Sequence, residues 1–501
     1  MSLLRLLRAE WTKLRTVPAW VAAPLAGAAI ILALGLTPSR QGSCGQHGPG
    51  SECAPLRGPG GQEVTDGLTL VHRTLTGDGT LTARVAALTG RLPDDGPATR
   101  DGLAPWAKAG LIVKDGTAQG SAYAAVMLTG EHGVRLQYDY VHDEGQPADA
   151  RIAPAPVWLR LTRTGDVVTA ERSADGVAWT GAGTARLPGL PRTVTAGLFV
   201  TSPQYAAQVN QAVVLSGTQG GPSQAIGTFD HLATAGAWSG EWQGTVIGAR
   251  GGPAAGPRTG WAPTADGFAL TGSGDIAPSV SGGAGLGVTI SQTLAGTFLS
   301  LVAVVVVGAL FVTAEYRRGL IRTTLAAAPR RGRVLAAKAA VLGAAGFVLG
   351  LAAAAPVVAF GPGVLRGNGV YVHPATLGTE LRVVAGTAAL LAGCAVLALG
   401  LGTLLRRGVA AVVASIVLVV LPYLLSVTVL PLRAADWLLR VTPAAAFALQ
   451  QSEPRYAQID NVYSPVDGYF PLGPWAGLAV LAGWVAVALA AAWYALRRRD
   501  T

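Results

Sequence analysis

The chain has only four lysines among 501 residues (Lys13, Lys108, Lys114 and Lys338), and none of them follows a glycine. The phosphate-cradling pattern G-x-x-x-x-G-K-S/T is therefore missing, and with it nucleotide hydrolysis of that type. Three cysteines and six scattered histidines form no C-x-x-C or H-E-x-x-H pattern, so the common metal and redox signatures are missing too. No catalytic constellation is legible; the chain reads as a non-enzyme that needs no cofactor. Charge is also scarce, at 13% of residues, against about 25% in ordinary soluble domains.

What fills the chain instead is apolar sequence, which accounts for half of it. Six runs are long enough to cross a bilayer, at 18–36, 290–313, 335–361, 383–405, 409–430 and 474–496. With the N-terminus inside, 16 of the 38 Lys and Arg residues fall on the cytoplasmic side and only five in the two short outer loops (362–382 and 431–473). That asymmetry is the positive-inside pattern and places both termini in the cytoplasm. The net charge of +10 then reports membrane topology and contact with anionic lipid, not nucleic acid. Trp437, Leu438, Pro443 and Phe447 in the second outer loop leave room for a short re-entrant hairpin.

Residues 1–17 carry an amphipathic helix. Leu3, Leu4, Leu7, Trp11 and Leu14 recur at helical spacing, while Arg5, Arg8, Lys13 and Arg15 supply positive charge. Such a stripe lies in the headgroup layer with tryptophan as its anchor. The competing reading, a secretory signal, lacks a clear cleavage site after the apolar run. Cys44 and Cys53 stand nine positions apart just beyond the first span, either as a local disulfide or as two free thiols. Cys394 lies within an apolar run and reads as packing.

Residues 37–289 change character: Gly, Thr, Asp and Pro rise, and long apolar runs vanish. Short segments at 81–88, 109–114, 123–129, 134–140, 157–163 and 194–201 read as strands between turns. In 157–163, Val157, Leu159 and Leu161 alternate with Trp158, Arg160 and Thr162, the period of a half-buried strand. This predicts an all-β sandwich outside the membrane, with a core at about 65–230. The sequence Trp106-Ala107-Lys108-Ala109-Gly110-Leu111-Ile112-Val113-Lys114 resembles a strand of concanavalin-like (laminin-G-like) jelly rolls. Trp158–Arg163 and Ser173–Trp179 resemble two more. Residues 231–280 read either as a partial second unit or as the completion of the first. The paired carboxylates of glycanases in that family are missing.

Residues 314–334 form the most basic stretch, which continues to Lys338. Glu315, Tyr316, Arg317, Gly319, Ile321, Arg322, Thr323, Thr324, Leu325, Pro329, Arg330, Arg331, Arg333 and Lys338 closely resemble the cytoplasmic loop of actinobacterial type-two ATP-binding-cassette (ABC) permeases. Arg318 departs from that pattern. Arg8–Thr16 and Thr442–Phe447 resemble two further segments of the family, and the large insert is a second departure. The resemblance implies the permease subunit of an ABC exporter with a separate ATP-binding subunit. It also implies a second permease copy or a related permease, since six spans are few for a transport path. Glu315, Tyr316, Arg317, Arg318, Leu320, Ile321, Arg322 and Leu325 are the expected coupling residues, beside Arg8, Trp11, Lys13 and Arg15 of the interfacial helix. Glu315 and Arg318, three apart, are spaced to pair. The reading from another class is a membrane-anchored receptor whose sandwich binds an envelope ligand without transport.

Overall fold

The computed structural model describes residues 3–37, 56–94, 98–145, 155–211, 215–248, 259–282, 287–317, 319–327 and 330–498. Helix α1 (Leu3–Thr16) is followed at once by α2 (Pro18–Leu36), whose proline sits in the first turn, where its missing N–H costs nothing. After the β region come α3 (Ile290–Thr293), α4 (Thr297–Arg317), α5 (Leu320–Ala327), α6 (Arg331–Gly367) and α7 (Leu377–Leu405). Then follow α8 (Gly408–Val419), α9 (Leu421–Thr428), α10 (Leu432–Val441) and α11 (Pro474–Arg498).

Helices α2, α4, α6, α7 and α11 are long and apolar enough to cross a membrane, and the pair α8–α9 makes a sixth if it is one span. That pair bends by 41°. Pro422 in the first turn of α9 lacks an N–H and disfavours helical geometry in the residue before it. The run expected at 290–313 is broken near its start: a capping box between Thr289 and Gln292 opens α3, which ends at Thr293, and the long helix begins at Thr297.

Small residues let the helices approach closely. A Cβ on Gly350 would meet the Ala388 backbone at 2.6 Å, and one on Gly308 the Ala395 carbonyl at 2.5 Å, so α6 and α4 pack tightly on α7. The 3-10 helix Pro443–Gln450 is buried along its whole length. The Gln450 amide there donates to Thr297 and Thr387 at 3.0 Å each, so this 3-10 segment is anchored inside protein. Trp437 of α10 is 64% exposed.

The β region is built around one long bent strand, Leu68–Pro93. Its first half pairs with Thr193–Thr201 and its second half with Val157–Thr164. Gly77, at φ 75°, lies between the two halves. The sheet order is 180–186, 167–173, 157–164, 68–93, 193–201, 108–114, 123–129, 134–138, 142–145. The two wings face one another, with Leu111, Val113, Val126 and Leu136 against Leu159, Leu161, Val168 and Ala170. The alternation in Val157–Arg163 is realised as buried Val157, Leu159 and Leu161 between half-exposed neighbours. Gln224–Ile247 runs along the other side of the long strand, so 231–247 belong to this same sheet. Gly267–Gly272 then pairs with 225–230.

The outward face of one wing is covered as well. A small sheet of Leu56–Arg57, Glu63–Asp66 and Ile276–Pro278 lies over Ile112, Tyr123, Met127 and Phe199. Two buried ion pairs hold this cover: Lys108 to Asp275, and Lys114 to Asp66 at 2.8 Å. Asp66 also accepts from Tyr140 and from the Gly120 amide, each at 2.8 Å. Burial pulls the Lys114 ammonium below its ordinary value, against the attraction of Asp66.

Candidate functional site

Helix α1 turns Leu6, Glu10 and Leu14, spaced four apart, into the protein. Leu3, Leu4 and Trp11 stay exposed beside Arg5, Arg8 and Arg15, while Lys13 is half-buried. The helix therefore has a protein face as well as the lipid-type face read from its leucines.

At the end of the bundle opposite the β region, α4 runs on through Arg317. Gly319, in the left-handed region at φ 69°, turns the chain into α5. Ile321 is only 7% exposed and packs on Leu6, Val334 and Ala337. Leu320 is 48% exposed. Tyr316 is half-buried, with the Arg406 guanidinium over its ring at 5.2 Å, and Arg317 is exposed. Arg318 and the side chains of Arg322 and Leu325 lie outside the described residues, as do Cys44 and Cys53. The described thiol, Cys394, is buried in α7.

Four charges meet between α1, α4 and α6. The Lys338 ammonium contacts Glu10 at 2.8 Å and Glu315 at 2.6 Å. Lys13 contacts the same two carboxylates at 3.2 and 2.9 Å. Glu10, Glu315 and Lys338 are all buried. Glu315 therefore pairs with these lysines; the expected pairing with Arg318 lies outside the described residues. Packing α1 beside α6 brings two compensating cations to one carboxylate, more than a single neighbour on a helical turn supplies. Burial pulls the Lys13 ammonium down, but Glu315 and then Glu10 outweigh it and leave it raised.

Glu10 and Lys338 were not singled out as site residues from sequence. The available signal was charge balance: Glu10 is the one acid of α1, Glu315 the one acid of 314–338, and Lys338 sits inside an apolar run. The arrangement makes α1, α4 and α6 one mechanical unit with the short α5 on its surface.

No family model and no curated protein matches this chain. Solved structures give distant matches. One is a functionally unknown protein from Saccharomyces cerevisiae, 15% identical, covering 33% of this chain and 73% of that one, with a TM-score of 0.20. Another is scytalido-glutamic peptidase, 10% identical, covering 41% of this chain and 98% of that one, at 0.26. A GH43 protein from Bacillus licheniformis is 14% identical, covers 25% and 24%, and scores 0.18. Scores this far below 0.5 carry no inference about this chain.

Proposed function

We propose that this chain is the membrane-spanning permease subunit of an ABC exporter, using ATP hydrolysed by a separate partner. In this reading six spans cross the cell membrane, both termini are cytoplasmic, and residues 37–289 form an extracellular jelly-roll domain. Two permease copies, or this chain and a relative, complete the transport path.

The observation that carries the reading is the stretch Glu315–Lys338, which resembles the ATPase-facing loop of such permeases. Its geometry is consistent with mechanical coupling. Helix α5 sits between α4 and α6, and the ion-paired ring of Glu10, Lys13, Glu315 and Lys338 ties both to α1. A push on α5 has a stiff route into two spans. The receptor alternative has less support, since one outward face of the sandwich is covered by the chain's own small sheet.

Co-purification with the ATPase tests the proposal. Ile321 is committed to Leu6, Val334 and Ala337, so its replacement by Asp would disturb the fold whether or not a partner docks. Leu320 is the cleaner probe. Burying a leucine fully contributes about 1.5–3 kcal/mol, so Leu320→Asp is expected to weaken capture of the ATPase at least tenfold while membrane yield is unchanged. Capture at the wild-type level would remove α5 from the coupling role.

A further inference from the structure

We infer that the contact between the β insert and the loops of the helical bundle is a proton-dependent latch, closed by acid and loosened by alkali. The cluster Glu63, His373 and Glu453, together with the facing pair Asp460 and Asp275, forms it.

Three segments meet at the first group. Glu63 belongs to the small sheet of the insert, His373 to the loop between α6 and α7, and Glu453 to the loop after the buried 3-10 helix. His373 Nδ1 lies 2.8 Å from Glu63 and 3.2 Å from Glu453. One ring nitrogen carries at most one proton. It is hydrogen-bonded to Glu63, and Glu453 Oε1 has no hydrogen-bond partner. Around these groups, Tyr371 donates to Glu63, and Tyr469 donates to the other Glu453 oxygen at 2.8 Å. Arg57 and Arg366 face Tyr371, and Arg455 faces Tyr463 beside Tyr469. Burial, eased only in part by His373, raises the Glu453 carboxyl above its ordinary value.

The second group repeats the imbalance. Gln458 donates to the Val141 carbonyl at 3.1 Å and Asn461 to the Ser281 carbonyl at 2.9 Å, which seats this loop on the insert. Asp460, between them, faces Asp275 and Glu131, and its buried Oδ2 has no hydrogen-bond partner. Asp275 is itself paired with Lys108. Burial and then the two facing carboxylates push the Asp460 carboxyl from 3.8 up to about 7.

The sign follows from linkage. Docking raises the affinity of the Glu453 and Asp460 carboxyls for protons, so docking takes up protons. It is strongest below the ordinary carboxylate range and weakens as the pH rises through the raised values. For Asp460 alone, a move from 3.8 to about 7 makes docking about a hundredfold tighter at pH 5 than at pH 8.5.

Hydrogen–deuterium exchange on the full chain in lipid nanodiscs reads this opening, and both membrane faces meet the buffer there, so membrane orientation and transport do not enter. After correction for intrinsic exchange, protection of 281–282 and 456–463 should fall about a hundredfold from pH 5 to pH 8.5. Strand 123–129 in the sandwich should not change. In the double variant Asp460→Asn with Glu453→Gln the fall should vanish. Equal protection at both pH values in the wild-type chain would overturn the latch, and so would an undiminished fall in the variant.

Discussion

Two buried ionic clusters stand at opposite ends of the helical bundle, and they are balanced differently. Near α1, two lysines face two glutamates in four contacts of 3.2 Å or less. At the insert, Glu63 and Glu453 share one imidazole, and Asp460 faces Asp275 and Glu131 while Lys108 pairs with Asp275. Removing charge from water is costly at both places. An alternating ring recovers that cost through attraction among its own members. In the carboxylate-rich cluster burial instead raises the Glu453 and Asp460 carboxyls, so these two hold their protons to higher pH. The count of nearby cations, more than burial, separates a permanent joint from a titratable one.

Removing one cation should break this contrast most severely. Lys338→Met leaves Glu10 and Glu315 buried with only half-buried Lys13 beside them. Thermal unfolding of the purified full chain should show a loss of about 3–5 kcal/mol, toward the upper end. A loss below about 1 kcal/mol would mean that water already reaches these carboxylates.

The insert offers an intermediate case. Lys114→Met strands Asp66, but Tyr140 and Gly120 still donate to it, so about 3 kcal/mol is expected. Adding Asp66→Leu should bring stability back to within about 1 kcal/mol of the parent, because the stranded charge goes with it. A double variant as weak as the single would show that the pair positions the small sheet through specific hydrogen bonds.

The smallest effect sharpens the comparison. Glu453→Gln removes a carboxylate that burial already holds above its ordinary value of 4.5. The parent's stability from this group is complete below 4.5 and is lost as the pH rises through the raised value. The melting temperature of the variant should therefore equal or exceed the parent's at pH 8, by no more than about 1 kcal/mol in stability terms. The difference should shrink or reverse at pH 4.5. An equal loss at both pH values would make Glu453 an ordinary structural partner of Tyr469.

Much of this was legible beforehand, residue by residue. The first apolar run coincides with α2, and the strand expected at 123–129 ends where the observed one does. The strand expected to reach Tyr140 stops at Tyr138, since Asp139 and Tyr140 both adopt positive φ at the turn. The motif lysines Lys108 and Lys114 were visible as a pattern, but their task of pinning a second small sheet was not. Ile321 reads as a docking residue because it forms, with Leu320 and Leu325, a small apolar set amid Arg and Thr; in the structure α1 covers it.

Run length by itself determined the long apolar helices, and local periodicity several of the strands and the polarity of their faces. Transfer between water and an apolar phase is read over a few neighbouring residues, and a 3.6- or 2-residue period survives any later packing. Only the tertiary structure decided which charges meet. Lys338 and Glu10 are 328 positions apart, and no spacing rule relates them. Their contact exists because Leu6 packs on Val334 and Ala337 and brings α1 against α6. Once that water is excluded, each buried charge must find its partner wherever the chain has placed one.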